Sequence, residues 1–380
     1  MKDNREVFAA IGRETLGPLL HSFALWLHEQ ARRDGAERLF FLARDGYMMQ
    51  QAYRAAIPEA ERIPNQYMYA SRRLLNFPAI KQIDDKSLHL LMGDRVAMPV
   101  EQYLRRIGLD RGEFTAELRE AGFHGPTQVV RQRDWPKLRR LFELLERQIV
   151  LAAEQERRLV LRYADSLADW DLLKCGVVDI GWHGSLQESL REVLELPSGM
   201  LHGYYFGLHA SAGHTGERMK AYLDERRAAD VYSSWRTFRR CREIFEVFFT
   251  GREGSIIGLN ETAPGVFEAT KEAYVMPAEK AGLLDLLQGE ALDSIKNAQR
   301  EPKRGEVLRR LRRLLSRPTR AEAEALGDIP HMEGFGGYGR MAPLARPRHR
   351  LRHYLRRPGS LMYEFRKTFW RPGFIARLKY

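Results

Sequence analysis

Two short apolar runs constrain this chain most, because each ends in charged residues and glycine just before helical periodicity resumes. The first, Arg38-Leu39-Phe40-Phe41-Leu42-Ala43, leads into Arg44-Asp45-Gly46 and a helix from Tyr47. The second, Cys175-Gly176-Val177-Val178-Asp179-Ile180, leads into Gly181-Trp182-His183-Gly184-Ser185 and another helix. Further strand candidates lie at 66–70, 201–208 and 254–258, with helical patterns at 6–34, 233–249 and 280–326. Short apolar strands alternating with helices predict an α/β fold, a doubly wound and mainly parallel sheet.

From 84 to 170 the strand signals stop and helical spacing takes over, with a long amphipathic stretch over 135–167. The expected organisation is a first part of the α/β core at 1–83 and a helical insertion at 84–170. A second part of the core follows at 171–270, then a helical C-terminal region at 271–340 and a basic, aromatic tail at 341–380. A glycine-rich loop is expected at 331–340. No repeat of fixed period is visible.

Apolar residues make up 44% and charged residues 29%, ordinary values for a globular chain. No run approaches the ~18 apolar residues that span a bilayer, and the opening residues contain no apolar stretch of the secretory kind. A cytoplasmic location is therefore expected, with Cys175 and Cys241 as small buried thiols in a reducing compartment. The net charge of +12 is concentrated: from 346 to 380 there are eleven Arg and Lys against one acid, Glu364, so this segment carries +10.

In open α/β sheets, ligands bind beyond the carboxyl ends of the strands. At the first turn, Gly46 would admit a ligand close to the backbone, and Arg44 could clamp a phosphate. The competing reading is a capped turn in which Arg44 and Asp45 pair locally. At the second, Gly181, Gly184 and Ser185 at the mouth of a helix suit a phosphate cradle. His183 could bond a phosphate or cap the helix, and Trp182 could be a sugar platform or a packing residue. Asp179 could hold Mg²⁺ or a pair of sugar hydroxyls, or simply accept loop amides. Ser71-Arg72-Arg73 follows the 66–70 strand, so that an arginine there either reaches the ligand or stays solvated. Glu246, beside Glu243 on a largely apolar helix, is a candidate base or a structural partner. His202 and His214 lack metal-like spacing. No Walker A loop, nucleophile elbow or HExxH is present.

The wording Phe41-Leu42-Ala43-Arg44-Asp45-Gly46, Tyr69-Ala70-Ser71-Arg72-Arg73 and Val178-Asp179-Ile180-Gly181-Trp182-His183-Gly184-Ser185-Leu186-Gln187, with Pro-Thr-Arg-Ala-Glu-Ala at 318–323, resembles one family over roughly residues 6–340. This is the glycan phosphoribosyltransferase module of bacterial polysaccharide-biosynthesis proteins, often fused to a haloacid-dehalogenase-like phosphatase. The resemblance implies a sheet similar to a phosphoribosyltransferase core. It implies transfer of 5-phosphoribose from phosphoribosyl pyrophosphate to a glycan hydroxyl, after which a phosphatase leaves ribofuranose in the glycan. No Asp-x-Asp opening of that phosphatase is present, so a separate phosphatase partner is expected. The Arg44 turn would correspond to the pyrophosphate loop, and Asp179 with 181–185 to the ribose 5-phosphate loop. The usual loop has two adjacent acids; here Ile180 stands in the second place.

On this reading Mg²⁺ at Asp179, with Arg44 and Arg72, would neutralise the departing pyrophosphate, and Asp45 or Glu246 would take the acceptor's proton. The tail interleaves its cations with Tyr354, Leu355, Leu361, Met362, Phe365, Phe369, Trp370, Phe374 and Ile375, which suits an anionic membrane surface and a lipid-linked acceptor. Packing of the tail on the body is the alternative. Nucleic acid is not expected as a partner, since the body is nearly neutral and shows no known nucleic-acid module.

Overall fold

The computed structural model describes residues 4–93, 97–109, 114–197, 200–212, 218–226, 237–333 and 340–378; His214 lies outside them. Its strands are β1 (Arg38–Leu42), β2 (Asn65–Met68), β3 (Met98–Pro99), β4 (Val129–Val130), β5 (Cys175–Trp182) and β6 (His202–Leu208). They continue with β7 (Arg218–Asp224), β8 (Ile256–Ala263), β9 (Val266–Lys271), β10 (Pro330–Glu333) and β11 (Arg340–Pro343).

Five strands form one sheet in the order β2-β1-β5-β6-β7, every neighbour parallel. Successive side chains of β1 feed opposite faces, as strand geometry requires. Leu39 and Phe41 join a core with helices Gly17–Asp34, Gly46–Ala56, Arg242–Phe249 and Ala278–Lys296. Phe40 and Leu42 pack on the other side with Val160, Tyr163, Leu190 and Val193, from helices Glu146–Leu167 and Ser185–Leu194. Cover on both faces explains why β1 and β6 lack polar alternation. The molecule is a doubly wound α/β fold with a helical C-terminal region.

The order of the sheet matters for function. The chain moves outward from β1 to β2, then returns across β1 to build β5, β6 and β7 on the other side. The carboxyl ends of β1 and β5 therefore flank the topological switch point, where open α/β sheets form their ligand crevice.

The segment expected as a helical insertion has a core of its own, running from Phe77 to Ala153 and including Tyr103, Leu138, Leu141 and Phe142. It ends part-way along helix Glu146–Leu167, whose later residues Val160, Tyr163 and Ala164 belong to the sheet. Arg73 ties the two together. Its guanidinium forks onto both Glu156 oxygens at 2.6 Å, donates to the Arg106 carbonyl and lies over the Phe77 ring.

Three expectations change. The strand near 254–258 lies in an antiparallel hairpin with β9, outside the parallel sheet, and β7 supplies the fifth strand instead. The flanks of the expected glycine-rich loop pair as β10 and β11; residues 334–339 lie outside the described set. The tail folds into helices Leu351–Arg356, Pro358–Lys367 and Arg371–Ala376, and Tyr354, Trp370 and Phe374 enter the main core. Trp370 Nε1 donates to the Leu315 carbonyl at 2.8 Å. Among the described residues no helix is long and apolar enough to cross a membrane.

Candidate functional site

β1 ends in a tight turn, with a cis Ala43–Arg44 peptide, before helix Gly46–Ala56. The turn is held from outside: Gly251 N–H donates to the Arg44 carbonyl at 3.2 Å, and Thr250 Oγ1 donates to Asp45 Oδ1 at 2.7 Å. Packing requires glycine at 46, since a Cβ there would lie 2.7 Å from the Phe41 carbonyl carbon.

β5 carries Asp179 to the same crevice, buried with 8% of its surface exposed. The chain then turns through Gly181 at φ +99° and Trp182 at φ +76°. Only glycine fits at 181, because a Cβ would sit 2.5 Å from the Gly207 carbonyl oxygen. This bend lets Gly181 N–H donate back to Asp179 Oδ2 at 3.3 Å. Gly184, in the left-handed region, opens helix Ser185–Leu194, and Ser185 lines the crevice.

A third acid arrives from helix Arg242–Phe249. Glu246 points at the crevice with His331 Nε2, from β10, at 3.3 Å. The Asp45 charge bears on both Asp179 and Glu246. Burial pushes Asp179 up to about 7, with the Asp45 charge adding to it against the loop amides. Burial pushes Glu246 up to about 8, aided by Asp45 and Glu243. Burial also raises Asp45, outweighing Arg44, the Thr250 hydroxyl and Arg72. His331 is driven the other way, to about 4, by burial and then by Arg44 and Arg242. Acids whose charges raise one another's pKa favour a shared proton or a cation over full ionisation.

Positive charge stands ready beside them. Neither Arg44 nor Arg72 makes a side-chain hydrogen bond or ion pair among the described residues. Both act on Asp45, while Arg72 also bears on Asp179 and His183. Arg72 is exposed and Arg44 half-buried. No group of three or more His, Cys, Asp or Glu is placed as a ready-made metal cage among the described residues. Asp45 and Asp179 could instead hold an ion that keeps its other positions for water and phosphate oxygens, as Mg²⁺ usually does.

The remaining expected residues divide. Ser71 lines the crevice but is committed: its hydroxyl donates to the Ile256 carbonyl at 2.6 Å and accepts from Leu74 N–H at 2.9 Å. Arg73 is spent on Glu156 and the Arg106 carbonyl, as described. Trp182 is buried against the core, its ring 6.5 Å from that of Phe245. His183 is exposed, 3.4 Å from the Ser211 hydroxyl and with its ring 5.4 Å from that of His209. Partial desolvation by its neighbours, then His209 and Arg72, lowers its pKa. Thr250 and His331 were not legible as site residues. A single threonine after a helix carries no motif, and His331 stands alone before a glycine-rich stretch.

The crevice opens into a cleft of about 1440 Å³. Both turns line it, together with Arg242, Glu243, Ser255 and Ile256, and it extends past Asn76, Lys81 and His89 of the insertion side to Glu192 and Glu195. No family model matches the sequence, and no curated protein matches it.

Proposed function

We propose that the chain is a pentosyltransferase that moves 5-phosphoribose from phosphoribosyl pyrophosphate to a hydroxyl of a glycan acceptor. The observation that carries this reading is the juxtaposition of Arg44 and Arg72, both without an ion-pair partner among the described residues, with the Asp45–Asp179 carboxyls at the switch point. Such a place favours a ligand that brings several negative charges together with a cation. The resemblance of the three motifs to glycan phosphoribosyltransferases points to the same ligand.

Each residue then has a task. Arg44 and Arg72 receive the pyrophosphate and hold it as the ribosyl C1–O bond breaks, offsetting the charge that collects on the leaving oxygens. Asp45 and Asp179 would hold Mg²⁺, which supplies further charge neutralisation on the pyrophosphate. The amides at the start of helix Ser185–Leu194, with the Ser185 hydroxyl, suit the 5-phosphate. Glu246 takes the proton of the attacking hydroxyl, since a carboxylate that titrates near neutrality is well matched to that transfer. The product keeps its 5-phosphate, so a separate phosphohydrolase would be needed to expose ribofuranose.

A phosphohydrolase could use the same acids and arginines. The volume favours transfer: sites for one small molecule occupy roughly 300–1,000 Å³, and this cleft leaves room for donor and acceptor together. The deciding experiment incubates the protein with Mg²⁺, phosphoribosyl pyrophosphate and candidate glycans. Mass spectrometry should find a phosphopentose added to an acceptor. Release of inorganic phosphate with no acceptor modified would support the hydrolase instead.

A further inference from the structure

We infer that the outer surface of the three tail helices is a docking face for an anionic lipid bilayer. Folding sorts the tail's apolar residues into two sets. Tyr354, Trp370 and Phe374 are buried in the main core, whereas Leu355, Met362, Tyr363 and Ile375 are 73%, 52%, 56% and 57% exposed. The second set sits on helices that pack together through aromatic contacts. The Tyr354 and Phe365 rings lie 6.4 and 6.1 Å from that of Phe374, and helix Pro358–Lys367 has no buried residue of its own.

The charges are sorted in the same way. Glu364, the tail's one acid, is turned inward and accepts from the Tyr354 hydroxyl at 2.6 Å. Arg377 is likewise engaged, with Asp328 at 3.0 Å. Arg348, Arg350, Arg352, Arg356, Arg357 and Arg366 stay exposed on the same tail. Exposed aliphatic groups that share a segment with exposed arginines are a poor match for nucleic acid, which offers phosphates but little to receive Leu, Met and Ile. They match a bilayer surface, where apolar side chains enter the acyl boundary while cations meet anionic headgroups. On its inner side the tail meets the wall of the cleft, because Phe369, between the last two helices, touches His331 ring to ring at 5.2 Å.

The test is flotation of the full chain with vesicles of phosphatidylglycerol and phosphatidylcholine, beside vesicles of phosphatidylcholine alone, and does not depend on any enzymatic activity. The chain should float with the anionic vesicles only, and raised salt should weaken the association on the order of tenfold. The combined variant L355S/M362S/Y363S/I375S should lose about tenfold in partitioning with an unchanged melting temperature, because all four side chains are exposed. The charge variant R352E/R356E/R366E should lose as much. Failure to float, equal flotation with both vesicle types, or wild-type flotation of the serine variant overturns the inference. So does tight binding of duplex DNA or RNA by a chain that ignores vesicles.

Discussion

His331 Nε2 lies 3.3 Å from a carboxylate oxygen of Glu246. The acid is pushed up to about 8 and the imidazole down to about 4, so near neutral pH the pair rests largely uncharged in the wall of the crevice. Burial, aided by Asp45 and Glu243, sets the protonation state of the proposed base.

Activity should therefore rise with pH through about 8, as Glu246 loses its proton. E246Q should abolish that limb and lower kcat by roughly 10²-fold with little change in KM for the donor. A wild-type pH profile in E246Q would assign the proton transfer elsewhere.

Stability should move the other way. Between the ordinary carboxyl range and about 7 for Asp179, or about 8 for Glu246, the unfolded chain has released protons that the folded chain keeps. The unfolded state then binds fewer protons, so stability falls as pH rises across that window and levels off above it. D179N should flatten the decline and raise the melting temperature at pH 8 while removing turnover. Buried neutral His331 adds a loss on the acid side, from the ordinary histidine range down to about 4.

Arg72 and Arg73 are adjacent in sequence and should behave as opposites. R72A, like R44A, should cost roughly 10²-fold or more in rate and leave the melting curve in place, since neither guanidinium holds the fold. R73A strands the Glu156 carboxylate and the Arg106 carbonyl, and should cost about 3 kcal/mol of stability. Thermal melts run beside the transfer assay check both.

Residues 346–380 carry part of the main core. With Trp370 fully buried in the main core, W370A alone should cost about 3–5 kcal/mol. Truncation should give an unstable protein, measurable as a large drop in denaturant midpoint.

The parallel sheet was legible because the runs Leu39 to Ala43 in and after β1 and Cys175 to Val178 in β5 are buried and free of polar residues. The turns Arg44-Asp45-Gly46 and 179–185 were legible as a pair because polar residues and glycine break apolar runs at the same place in each unit. The divided roles within Ser71-Arg72-Arg73 were not, since only the position of Glu156, on a distant helix, decides which arginine is spent. Thr250 and His331 stayed hidden for the same reason: they reach the crevice from elements outside the sheet. The packing demand on Gly46 was not legible, because the nearness of Phe41 depends on how the helix lies on its strand.

The sheet order also has a consequence for biogenesis. β1 and β5 are hydrogen-bonded neighbours, with Phe40 beside Val177, yet the whole insertion is synthesised between them. At a translation rate of about 5–20 residues per second, β1 spends on the order of ten seconds with one edge unpaired. β2 can protect the opposite edge early, since Leu39 pairs with Asn65, but nothing made before β5 can take its place. The Arg44-Asp45 turn is thus among the first parts of the site to leave the ribosome and among the last to be completed. Substitutions that slow closure of the insertion, such as those at Arg73, should act during synthesis, through aggregation of the waiting strand, as well as in the finished molecule.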